Sequence, residues 1–285
     1  MNYIPDSLLR VGRFDKNFKL ESPTSEDAEK IIAYYLSKKK FVDTINVKQI
    51  ARILSGYSCA QLETVINEAG IYTGYENKEK FEMNDIIKAA MRVIYKAPEV
   101  LSQKENRNKK LFAYHEAGHA VVAEVLEKGS VNIVSVKTHS GNTGGVTSYY
   151  QDEDYFFDKK FMENRVLTLL GGKSATEIVF GVVDVGANND IHRARDIVER
   201  FVDNYCSYGF DKFAYARAHS NEFIAKQENL IFSEMERYYQ LSKKILIQNR
   251  EFLDKLASAL IEKETLITED IKKIKESCKI VECNF

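Results

Sequence analysis

The chain has 285 residues, 44% of them apolar, which supports a sizeable core and suits two domains better than one. Lys and Arg number 41 against 42 Asp and Glu, so the basic excess of a dedicated nucleic-acid binder is missing. Four cysteines without a C-x-x-C pair point to free thiols in a reducing compartment. No apolar run approaches the length of a membrane span, and the N-terminus has no charged-then-apolar leader. The expectation is a soluble, cytosolic, helix-rich chain, in keeping with only 3 Pro and no Trp.

Residues 1–23 are too short for a domain and include an extended stretch from Phe18 to Pro23. Thr24-Ser25-Glu26-Asp27 reads as a helix start, followed by apolar residues at helical spacing through Leu36. Further helices fit Val47–Leu54, a segment starting near Ser58, and Met83–Lys96, which stops before Pro98. Residues 24–97 therefore read as a compact four-helix unit. The polar stretch 98–109 reads as a linker, and the basic runs Lys38-Lys39-Lys40 and Lys104–Lys110 as solvated helix ends and linker. A helix is predicted from Leu111 to Lys128, closed by Gly129. Two strands, 131–137 and 146–150, flank a Gly-rich turn and form a small β-hairpin. Helices follow over Lys159–Phe180 and Ile191–Tyr205, and the chain beyond Asn221 is mostly helical. Residues 110–285 form the second domain, and the fold class is mainly α with a small β-hairpin or sheet.

The chemistry centres on His115-Glu116-Ala117-Gly118-His119. Two His four apart share one helix face, about 6 Å between β-carbons, so both rings can reach one ion. Imidazole suits zinc, and Glu116 beside the rings is free to take a proton from water. Small apolar neighbours, from Ala113 to Val121, predict a buried helix, and buried imidazoles need partners. The third ligand cannot follow the H-x-x-G-x-x-H extension, because Val122 and Val125 stand at its Gly and His positions. Two downstream carboxylates remain open candidates, Glu177 after Gly171-Gly172 and Asp190 at a helix start. Gly172-Lys173-Ser174 mimics the end of a phosphate-binding loop. Leu167 stands where that loop needs Gly, and the segment is mid-helix, so ATP hydrolysis by this chain alone is not expected. His139 in a loop is a possible oxyanion-stabilising group, although a lone loop His is more often solvated.

Phe112-Ala113-Tyr114-His115-Glu116-Ala117-Gly118-His119-Ala120 resembles the signature of the FtsH family of membrane-anchored, ATP-dependent zinc metallopeptidases. Leu8 to Asp15 is similar to the end of that family's AAA ATPase core, and Gly56-Tyr57-Ser58 with Asn67-Glu68-Ala69 to its helical lid. Gly145-Val146-Thr147, Gly171-Gly172 and Gly186 to Asp190 occur in the family's order. The resemblance implies a core remnant at 1–23, an AAA lid at 24–97, a linker at 98–109 and a zinc-peptidase domain at 110–285. It implies Zn2+ ligands His115, His119 and Asp190, with Glu116 as the general base. Glu177 becomes a supporting carboxylate that holds a ligating imidazole. Gly145, Val146 and Thr147 become the strand that pairs with an extended substrate, and Arg10 and Arg13 the residues that reach the nucleotide of a neighbouring subunit. It further implies protein substrates, a homohexamer and membrane attachment through segments beyond this one, with ATP and Mg2+ acting only through the longer motor. Val11, Cys59, Lys173, Thr176 and Val185 depart from the family pattern, Thr176 standing where an acid is usual. None of these departures falls on the implied ligands or base.

Overall fold

The computed structural model describes residues 5–8, 12, 20–97, 103–137, 145–150, 158–182, 185–205, 207–209 and 220–283. Arg10, Arg13, Val11, His139, the turn 141–144 and the linker positions 98–102 lie outside the described residues. The chain divides into two units, Met1–Ile86 and Ile87–Phe285.

In the first unit, three helices are set by caps legible in sequence. Helix α1 (Ser25–Leu36) begins where the Thr24 hydroxyl accepts from the Asp27 amide, 3.2 Å away. Helix α2 (Val47–Ile53) starts at Asn46. Helix α3 (Cys59–Tyr75) starts with a capping box between Ser58 and Gln61. Their apolar faces bury Ile32, Leu36, Ile50, Leu62, Val65 and Ile66. Helix α4 (Met83–Val93) crosses from the first unit into the second.

The second unit is built on α5 (Gln103–Leu126), which carries both His of the motif and packs on α6 (Lys159–Phe180). Residues 103–109 of the expected linker are thus the opening turns of α5, because a polar run rich in Lys, Glu and Asn continues a helix as readily as it ends one. Gly118 and Gly171 let the two helices meet backbone to backbone. A Cβ on Gly118 would lie 2.4 Å from the Gly171 carbonyl oxygen. Helix α6 also packs on α7 (Asn188–Asp203) and on α8 (Asn221–Gln248). Helix α9 (Arg250–Lys263) closes on α5, and α10 (Thr268–Glu276) on α9. Ala117, Ala120, Leu170, Val198, Phe252 and Leu256 are among the fully or nearly buried residues of this core.

The sheet has three antiparallel strands in the order β2-β1-β3, with β1 (Val131–Ser135) central, β2 (Val146–Tyr149) on one edge and β3 (Thr265–Ile267) on the other. Strand β1 is buried throughout and pairs Ser135 with Val146 and, on its other side, with Thr265. The hairpin expected from sequence is therefore part of a larger sheet. β3 escaped because three residues flanked by helices carry no readable alternation.

Candidate metal centre and active site

Helix α5 presents His115 and His119 one turn apart, 8% and 6% exposed, with Glu116 at 5%. The His119 Nδ1 lies 2.7 Å from the Thr168 carbonyl oxygen. A carbonyl only accepts, so Nδ1 carries the proton and Nε2 presents its lone pair inward. The Nε2 atoms of His115 and His119 are 3.1 Å apart. The first turn of α7 brings Asp190 to them, its Oδ2 3.5 Å from His115 Nε2 and 3.3 Å from His119 Nε2. These three donors form a cluster whose ligand atoms all lie within 4.8 Å of one another.

Ligands 2.0–2.1 Å from a tetrahedral zinc stand about 3.3 Å apart, which is the spacing of these three atoms. The space is kept by Gly172, where a Cβ would sit 2.5 Å from His115 Nε2 and 2.6 Å from His119 Nε2. Two neutral imidazoles and one carboxylate are a borderline-soft donor set suited to zinc. Burial pushes the Asp190 carboxyl up, but hydrogen bonding and charge from His115 and His119 outweigh it and hold the group well below the usual carboxylate range.

Glu116 is oriented from the sheet. The Thr147 hydroxyl on β2 donates to its Oε2 over 2.6 Å. Gly145 permits this approach, since a Cβ there would lie 2.5 Å from Glu116 Cγ and 2.2 Å from the Ser135 carbonyl oxygen. A cleft of about 200 Å³ joins His115, Glu116, His119 and Asp190 to Val146, Thr147 and Arg193. Strand β2 runs beside it, and among the described residues its outer edge has no strand partner.

Glu177 does not join this cluster. Its carboxylate accepts from Lys243 at 2.5 Å, from Lys173 at 3.2 Å and from the Tyr239 hydroxyl, tying α6 to α8. Lys243 first, then Tyr239, hold its pKa down at about 2. The expectation that Glu177 supports an imidazole is corrected by helix geometry. The position one turn beyond Gly172 is Thr176, fully buried, whose hydroxyl donates to the Gly172 and Lys173 carbonyls. Glu177 is rotated a further 100° toward α8. Two contributors went unread in sequence: the Thr168 carbonyl, which has no side-chain signal, and the Thr147 hydroxyl as an orienter of Glu116. The Gly171-Gly172 pair inside a helical pattern was the visible trace of close packing.

The comparisons agree with this geometry. The sequence profile of peptidase family M41 matches residues 102–274. The ATP-dependent zinc metalloprotease FtsH of Caldicellulosiruptor bescii is 34% identical over 94% of this chain and 46% of its own length. That of Bacillus subtilis is 32% identical over 98% of this chain and 47% of its own, and that of Thermotoga maritima 31% over 97% and 48%. The chain thus spans about half the length of these relatives. With the profile covering more than half the chain and the donor cluster falling inside the matched span, the chain belongs to peptidase family M41.

Proposed function

We propose that this chain is the peptidase part of an ATP-dependent zinc metalloendopeptidase that cleaves unfolded or membrane-associated proteins. The carrying observation is the convergence of His115 Nε2, His119 Nε2 and Asp190 Oδ2 beside a buried, oriented Glu116. His115, His119 and Asp190 would hold the ion. Zinc bound there supplies Lewis acidity and makes water a usable nucleophile near neutral pH. Glu116 takes the proton of the attacking water and returns it to the leaving amine. Thr147 fixes the carboxylate through Oε2, so the proton moves at a defined place. The unpaired edge of β2 binds the substrate as an added strand, main chain to main chain, with Gly145 to Thr147 nearest the cleaved bond.

On the same reading, 1–23 ends an AAA core, 24–97 is its lid, 98–109 leads into the peptidase domain at 110–285, and the whole works as a homohexamer. Arg10 and Arg13 serve the nucleotide of the adjoining subunit. Among the described residues no helix is long and apolar enough to cross a membrane. Membrane attachment through other segments, with this part in the cytosol, belongs to the same reading. The FtsH relatives supply the support: they are named as ATP-dependent zinc proteases and extend to about twice this length. The test is Glu116→Gln. It retains one zinc per chain by metal analysis and loses casein cleavage by a factor of at least about 10³. Near-normal cleavage by that variant rejects the assigned base.

A further inference from the structure

Beyond β2 from the metal cleft lies a larger cavity, about 550 Å³, that shares Val146, Thr147, Tyr149, Arg165 and Arg193 with it. The chemistry above uses only its β2 wall. Its lining is unusual in charge. Three guanidinium groups, Arg165, Arg193 and Arg200, border it against one described carboxylate, Glu127. None of the three arginines forms an ion pair among the described residues. Arg165 lies over the Tyr149 ring, 4.6 Å from its centre, which fixes the guanidinium at the boundary between cleft and cavity. Burial lowers the Arg165 pKa, and the charges of Tyr149 and Asp190 act in the opposite sense. Burial and Glu124 raise that of Glu127, weakening the one opposing charge. Two polar atoms in the wall, Ser130 Oγ and Asn164 Oδ1, are buried without a hydrogen-bond partner, and Ser130 is 7% exposed. A wall whose cations have no ion-pair partner among the described residues, with Arg193 and Arg200 exposed at its rim, and whose polar atoms are unsatisfied offers donors to a polar, anionic guest.

Helix α7 gives the distances. Asp190, Arg193 and Arg200 recur at spacings of three and seven on one face, with Ile197 between them also lining the cavity. At 1.5 Å per residue, Arg193 stands about 4.5 Å and Arg200 about 15 Å along the axis from Asp190. A peptide extended along β2 advances about 3.3 Å per residue. An extended peptide covers those same lengths with about one to about five residues.

We propose that this cavity is a specificity pocket of the peptidase site, selecting substrates with a carboxylate within about five residues of the cleaved bond. The carboxylate belongs to an Asp or Glu side chain or to the substrate's own C-terminus. This rests on the peptidase reading above and adds a substrate preference to it. The zinc-loaded protein is given peptides identical except for Glu, Gln or Lys at each position around one bond. A second set ends in a free acid or an amide. A single charge-assisted pair predicts about ten- to hundredfold higher kcat/KM for Glu over Gln at one position, with Lys lowest. If the free acid alone gives the advantage, the guest is the chain end. Arg200→Glu narrows or inverts the Glu-to-Lys ratio measured within that variant. As a readout independent of turnover, Glu116→Gln binds the fluorescently labelled Glu peptide at least about tenfold more tightly than its Gln twin. Cleavage with equal rates for all peptides overturns the pocket and leaves the peptidase reading standing. Absence of both cleavage and binding overturns the two together.

Discussion

Gly172→Ala tests whether the donor cluster is a metal site or a chance meeting of polar groups. The added Cβ would stand 2.5 Å from His115 Nε2 and 2.6 Å from His119 Nε2. A comfortable non-bonded separation is about 3.5 Å, so the rings must retreat by about 1 Å. Metal–ligand distances tolerate about 0.2 Å, so a shift of that size removes at least one imidazole from coordination. Disturbing a supporting group alone already costs ten- to hundredfold in metal affinity. Loss of a ligand exceeds this, and the expected drop is at least about 10²-fold, near 2.7 kcal/mol. The fold responds in the opposite sense. Position 172 is mid-helix, where Ala is favoured over Gly by about 1 kcal/mol, which offsets the strain of moving two side chains. The metal-free variant should therefore melt within a few degrees of the metal-free parent. Competition with a chromophoric chelator reads the affinity, and circular dichroism with EDTA present reads the fold. Gly118→Ala is the control with the reverse pattern. Its Cβ meets the Gly171 carbonyl at 2.4 Å and the Ala175 Cβ at 2.6 Å, so stability falls first. Parental zinc affinity in a folded Gly172→Ala protein would refute the assignment.

Asp190→Asn weakens zinc binding at least about tenfold more than Glu177→Gln does, as read by the same chelator competition, because only Asp190 faces both imidazoles. The reverse ranking exchanges their roles. Thr147→Val removes the hydroxyl that orients Glu116 while keeping strand propensity, so kcat falls about tenfold with an unchanged melting temperature. An unaltered kcat removes Thr147 from the mechanism. The folded-state pKa of Glu177, near 2, lies below its ordinary value of 4.5. Its pairing with Lys243 and Tyr239 therefore stabilises fully above about pH 4.5 and is lost as pH falls through about 2. The difference in urea midpoint between the parent and Glu177→Gln should shrink over that window. A constant difference contradicts the pairing.

The HExxH helix was legible because its chemistry and its period coincide in five residues. Helix starts at Thr24 and Ser58 were legible because caps are local. Asp190 could not be singled out by spacing. What selects it is that α7 begins, after the short 3-10 turn Val185–Ala187, where α5 and α6 already face each other. Glu177 went astray for a different reason. At 100° per residue the spacing from Gly172 already puts Thr176, not Glu177, on its face, but Thr176 has no carboxylate to mark that position.

The central position of β1 has a consequence for how the molecule is made. Ser135 pairs with a partner 130 residues further along, and the Ser135 and Thr265 hydroxyls meet at 2.8 Å. At a synthesis rate of about 5–20 residues per second, β3 leaves the ribosome about 6–26 s after β1. For that interval β1 has an open flank, and the sheet whose far edge orients Glu116 is incomplete. A nascent chain therefore acquires its HExxH helix early and its working catalytic wall late, only once α9 and β3 have been translated.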